Sequence, residues 1–274
     1  MMGDDDPWPH FRALFDAIEH YDGPALRSDV LDPWLAEHGD PARMWLDAFA
    51  RRSGGPIPPA SIEELWALYA LSRANETLLL TFQPATESAG RTSDLSLRDY
   101  AGFMTALGFQ SLSETEFSPF FHEIVTVEQA AEADAAITVA REYWPALMLG
   151  DMMFSRAGVA VKGGPRHVRK DIAETSTMYW AFRRRNRRRH DLSLGWGHNS
   201  QWRTEFRRDY RVGGSFHFNV DSKKNDLSKS AGEHDGLDPA ACLELLLHRC
   251  FVTTSDPREY CFPYNDAYQM NAPE

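Results

Sequence analysis

The apolar residues of this 274-residue chain change their repeat part-way along, and that change restricts the fold more than any other feature. In the first hundred residues they recur at helical spacing. Phe11, Leu14, Phe15 and Ile18 stand at i, i+3, i+4 and i+7, one face of an amphipathic helix. Met44, Trp45, Ala48 and Phe49 repeat the spacing beyond a turn expected at Gly39-Asp40-Pro41. A Gly- and Pro-rich loop over 53–60 follows. Ser61 and Glu64 then form a capping box that opens a helix carrying Ile62, Leu65, Leu68 and Tyr69. Ser96 with Asp99 opens another, with Tyr100, Phe103, Met104 and Leu107 on one face and Gly108 placed to end it.

From Phe120 the pattern shifts. Residues 121–127 read as a strand, 128–143 as a helix, and 152–162 as one or two strands turning at Gly163-Gly164-Pro165. Residues 176–184, 192–197, 201–211 and 215–220 alternate like a meander of antiparallel strands. A polar loop leads to a helix over 239–251, with Leu243, Leu246, Leu247 and Cys250 apolar, and the Pro-bearing tail reads as irregular. Helices first and strands later predict an α+β fold: a helical N-terminal half packed on an antiparallel β-meander (about residues 176–221) with a C-terminal helix. No long flexible linker interrupts the chain, so 1–274 reads as a single domain, with 1–115 as its helical part and 116–274 as its sheet-containing part.

Alternation also suggests a register for the last hairpin. A two-residue Gly213-Gly214 turn would place Tyr210 opposite His217 and mix charged with aromatic residues on both faces. A three-residue loop, Val212-Gly213-Gly214, pairs Arg211 with Ser215 and gathers Tyr210, Phe216, Arg208, Phe218, Phe206 and Val220 on one face. A one-residue slip moves every side chain to the other face, so the register with an apolar face is expected. Arg208, among aromatics, then needs a carboxylate partner or an anionic ligand. Asp209 and His217 become cross-strand neighbours, which would favour a protonated imidazole.

Composition narrows the function classes. With 43% hydrophobic and 25% charged residues the chain can build a core and is not a disordered one. It has no run of about 18 apolar residues such as a membrane helix needs. Its first residues lack the basic start and apolar run of a signal peptide. Cys242, Cys250 and Cys261 form no Cys-x-x-Cys pair, which suits reduced thiols and a cytoplasmic location. The net charge of −11 hides an asymmetry: there is no lysine up to Gly150, while about half of the basic residues lie between Lys162 and Arg211.

Several constellations could carry chemistry. Asp209 with His217 could act as an oriented general base, the candidate catalytic pair, or be an ordinary cross-strand ion pair. His217, Asn219 and Asp221 lie on one strand face, but alternation spaces them too widely for chelation, so no metal and no cofactor is expected. The His190-Asp191 and His234-Asp235 pairs fall outside the helical setting that HD-type phosphohydrolases need, and His122-Glu123 lacks the second histidine of a zincin. Arg183, Arg184, Arg185, Arg187, Arg188 and Arg189 surround Asn186. They could grip phosphates, or form a hairpin tip whose arginines reach into solvent or pair with the acidic helices. The loop over 195–203, walled by Trp196 and Trp202, reads as a ligand-contact loop or as a tight connector.

Two phrases carry resemblances. Leu35-Ala36-Glu37-His38-Gly39-Asp40-Pro41 resembles a phrase of a short companion domain in some bacterial multidomain proteins. The stretch from Phe120-Phe121-His122-Glu123-Ile124-Val125 through Trp202-Arg203-Thr204-Glu205-Phe206-Arg207-Arg208-Asp209-Tyr210 is similar to an uncharacterised family of bacterial proteins, and implies no activity. The function expected from the residues is binding. His198, Asn199, Trp202, Arg203, Arg207, Arg208 and Asn219, on a Trp/Arg/His-rich sheet face and the loop over 195–203, would hold an anionic small molecule or an acidic protein surface. The alternatives are a hydrolase or transferase using His217 and Asp209 or a metal site on that face, and nucleic-acid binding through the arginine run, which the acidic pI near 5.4 disfavours. No membrane partner is expected.

Overall fold

The structure, a computed structural model, describes residues 7–52, 54–84, 94–187, 205–222, 225–226, 237–255 and 265–272. Four helices come first: α1 (Trp8–His20), α2 (Asp32–Ala50, entered through a π-helical turn at Arg27–Leu31), α3 (Ile62–Leu79) and α4 (Leu97–Ala106). Phe11, Leu14, Phe15 and Ile18 of α1 are all buried, as their spacing requires. The capping box of α3 forms: the Glu64 N–H donates to Ser61 Oγ at 3.2 Å and the Ser61 N–H to Glu64 Oε2 at 2.8 Å. Ser96 caps α4, and Gly108 follows its end with φ +96°. The turn expected at Gly39-Asp40-Pro41 is absent: α2 runs through it, with Gly39, Ala42 and Leu46 buried on one face. Packing of that face outweighs the hydrogen bond that Pro41 cannot make.

The remainder is rich in antiparallel strands, so the fold is α+β. Strands β1 (Gln110–Leu112), β4 (Ala146–Leu149), β5 (Met152–Ser155), β7 (Asp209–Val212), β8 (Ser215–Phe218), β10 (Asp266–Asn271) and β9 (Asn225–Asp226) form a seven-stranded sheet in that spatial order. Strands β2 (His122–Gln129), β6 (Ala157–Gly163) and β3 (Thr138–Trp144) form a second sheet, with β6 central. Among the described residues two more helices follow, the short α5 (Lys170–Ala173) and α6 (Pro239–His248).

Successive residues of β4 and β5 enter opposite cores. Leu147, Leu149, Met152 and Phe154 pack into the cluster shared with the helices; Ala146, Met148 and Met153 pack into a second cluster with Phe120, Phe216, Phe218 and Leu246. The large sheet is therefore covered on both faces, and this overturns the expected hairpin register. The turn is the two-residue Gly213-Gly214, with Tyr210 opposite His217, Arg211 opposite Phe216 and Val212 opposite Ser215. An apolar-face criterion selects a register only where the other face is wet. Both glycines have positive φ, +59° and +76°, the geometry of the two-residue turn that matches strand twist.

Three further expectations need correction. The helix over 128–143 is replaced by the end of β2, a turn and β3. Both strands pair with β6, and Gly164 donates to Ala135 O at 2.8 Å, so tertiary pairing overrides the helix-favouring Ala and Glu content. Residues 176–184 form turns and irregular backbone, with a single bridge residue at Met178. Their N–H groups are taken elsewhere, Tyr179 by Arg249 O and Phe182 by the Glu76 carboxylate. The tail contributes a strand, β10, that pairs with β8. The expected strand over 192–197, and 201–204 of the next one, lie outside the described residues.

Candidate functional site

Asp209, the first residue of β7, is completely buried on the face of the sheet that meets α6. Its carboxylate receives four donors. Oδ1 accepts from Arg207 Nε at 2.8 Å and from the Asn219 N–H at 2.8 Å. Oδ2 accepts from Arg156 Nη2 at 3.3 Å and from Arg249 Nη2 at 3.2 Å. Burial alone would raise the Asp209 carboxyl; Arg207, then Arg249 and Arg156, hold it down at about 2.

The three guanidiniums come from three places. Arg156 joins β5 to β6, Arg207 precedes β7, and Arg249 follows the last residue of α6. The C-terminal carbonyls of α6 receive two of them: Arg156 Nη1 donates to Leu247 O at 2.6 Å and Arg207 Nη2 to Leu246 O at 2.8 Å. Those carbonyls have no partner within the helix and carry the negative end of its dipole. Trp180 covers Arg207, with the guanidinium carbon 4.0 Å from the ring centroid. Burial, opposed by Asp209 and helped by Arg249, lowers Arg207 to about 10, and burial with Arg249 lowers Arg156 well below its ordinary range.

Backbone strain gathers at the same place. Among the described residues the non-glycine positions with positive φ are Trp180 (52°), Asn219 (54°) and Arg249 (61°). Trp180 stacks on Arg207, while Asn219 and Arg249 bind Asp209. Such conformations persist where surrounding contacts enforce them, and they concentrate at functional sites.

A second buried network lies at the junction of α3 and β2. Arg184 grips Glu123 with Nε at 2.5 Å and Nη2 at 2.7 Å, and its Nη1 is 3.4 Å from Glu76 Oε1. Burial pushes Glu76 up despite Arg184, whereas Arg184 outweighs burial at Glu123 and lowers it. A crevice with room for little more than one water molecule lies beside it, lined by Gln83, Glu123, Trp144, Glu174, Arg184 and Arg187.

The expected site residues do not come together as one sheet face with its loop among the described residues. His217 projects from the opposite face of the sheet to Asp209 and stands beside Tyr210 and Gln269, so the pair makes no His-Asp dyad. Arg207, Arg208 and Asn219 are buried, not displayed on an open face. Arg208 has a carboxylate partner: it binds Asp221 with Nε at 2.7 Å and Nη2 at 2.6 Å, and reaches Pro58 O and the Tyr210 hydroxyl. His198, Asn199, Trp202 and Arg203 lie outside the described residues, as do Arg188 and Arg189.

The remaining arginines of the run point inward, paired with acidic helices or carbonyls. Arg183 binds Glu19 of α1, Arg185 binds Leu80 O, and Arg187 binds the carbonyls of Ile124 and Ala173. Arg156, Arg249, Glu76 and Glu123 escape sequence reasoning. The only trace of Glu76 is its place with Arg73 and Asn75 in a helix otherwise apolar nearly all round. Among the described residues no group of three or more His, Cys, Asp or Glu stands close enough to hold a metal ion, and no helix is long and apolar enough to cross a membrane.

No family model, no curated protein and no solved structure matches the chain.

Proposed function

We propose that the protein binds an anionic ligand at the arginine cluster around Asp209. One observation carries this reading. Three buried guanidiniums share a single carboxylate, and among the described residues Arg156 Nε, Arg207 Nη1 and Arg249 Nε are buried without an acceptor. Each buried, unmatched donor of a charged group costs on the order of 1–3 kcal/mol, so an acceptor of negative charge would be stabilising there. The strain at Trp180, Asn219 and Arg249 supports the same location.

The depth of the cluster favours a small anion over an acidic protein surface, because Arg207 and Arg208 offer no open face. A hydrolase or transferase built on His217 and Asp209 has lost its geometry, and the arginines at 183–187 are engaged within the chain. Cys242 and Cys250 are buried free thiols, which supports the cytoplasm as the place of action.

The test is thermal melting at constant ionic strength with phosphate, sulfate, acetate or citrate against chloride, beside an Arg207→Met variant. Ligand at about a hundred times its dissociation constant stabilises by roughly 2.7 kcal/mol. A rise in Tm confined to particular anions and absent in the variant is expected. Identical melting in every salt would mean that the cluster is balanced within the chain.

A further inference from the structure

We infer that the anion is a dianionic phosphoryl group, inorganic phosphate or a phosphate monoester, seated against Arg156, Arg207 and Arg249; this rests on the anion-binding reading above. Asp209 cannot serve the leftover donors. An ionised carboxylate has about four lone-pair sites, and all four are taken by Arg207, Asn219, Arg156 and Arg249. The unmatched nitrogens belong to three different side chains, so they ask for a group with several acceptor oxygens pointing different ways. A phosphoryl group has three such oxygens, while a carboxylate has two in one plane.

Charge points the same way. The cluster holds three guanidiniums against one carboxylate, plus the end of α6, worth about half a negative charge. The remainder is roughly one and a half positive charges, close to the −1.5 to −2 of a phosphate monoester at neutral pH. Glu76 acts on Arg249 from a distance, and Glu123 on Arg249 and Arg156, but their oxygens are held by Arg184 and the Phe182 N–H and so accept nothing from the three unmatched nitrogens. The neighbouring His248 adds no charge, for burial and Arg156 press its imidazole down to about 4. Arg249, whose side chain is 10% exposed against 1% for the other two, marks the side from which the anion arrives.

The experiment is calorimetric titration of the wild-type protein at fixed ionic strength with inorganic phosphate, methyl phosphate, dimethyl phosphate and acetate, each at pH 5 and pH 8. The expected result is binding of phosphate or methyl phosphate that tightens at least tenfold at pH 8, where the second proton has left, with none from dimethyl phosphate or acetate. Phosphate alone would identify the free ion; methyl phosphate binding equally or better would identify an ester. Equal binding of dimethyl phosphate or acetate would overturn the dianion and leave the anion site standing. Silence from all four, with no anion effect on melting, would remove both. Arg207→Met should lose at least tenfold in affinity. Should that variant fail to fold, the monoester-to-diester comparison on the wild-type protein decides by itself.

Discussion

Arg184 shows how much one side chain can decide in this molecule. It joins Glu76 of α3 to Glu123 of β2 in a place that water barely reaches. Removing one member of such a network leaves the others charged and unmatched, which costs more than the intact network contributes. Arg184→Met should therefore lose about 3–5 kcal/mol in urea unfolding. The loss should be larger at pH 8 than at pH 5, because the stranded carboxylates can take up protons in acid. A change below about 1 kcal/mol at both pH values would mean that water solvates Glu76 and Glu123 without it. At this scale the sequence is only partly legible. That Arg208 needs a carboxylate or an anionic ligand follows from its charge and neighbours, and Asp221 supplies the carboxylate. That Asp209 would meet Arg156 and Arg249 and not His217 depends on segments far apart in the chain.

Helix starts are the most legible elements, because a cap is made by residues three apart. Ser61→Ala breaks the capping box of α3 and should cost about 1 kcal/mol, read as a shift in urea midpoint with an unchanged slope. A much smaller loss would show that packing alone sets where α3 begins. The last hairpin offers a sharper test. In the two-residue turn both Gly213 and Gly214 hold positive φ, so alanine at either position should cost about 1 kcal/mol or more. A three-residue loop would need glycine at one of them only, and sensitivity at a single position would restore that register. The expected register fails here for a definite reason. Alternation reports the water-facing side of a sheet, and β7 and β8 belong to a sheet with a core on each face.

Across the whole molecule, buried ionisable groups couple the fold to pH. Burial, then Arg156, lowers His248 from 6.5 to about 4, and burial lowers His122, whose ring stacks on Phe117 as does that of His248. Both histidines fold as neutral imidazoles. The unfolded chain binds their protons first as pH falls through 6.5, so stability is lost from there downward. For His248 the loss is complete near pH 4 and amounts to roughly 3 kcal/mol. Asp209 acts lower: its contribution is full above 3.8 and is lost as pH falls toward about 2. Urea unfolding at pH 7.5 and pH 5 should show a weaker protein in acid, and His248→Gln should flatten the difference. Equal stability at both pH values in the wild type would sink this account.

The sequence by itself determined the α+β class, α1, the caps of α3 and α4, and a helix near the C-terminus. These rest on spacing and capping within a few residues, where local chemistry dominates. Tertiary structure decided the rest. It carried α2 through Pro41, turned 128–143 into strands around β6, and brought Arg156, Arg207 and Arg249 to one carboxylate. Those outcomes depend on which distant surfaces cover which, because burial sets both the register of a strand and the partner that a buried charge must find.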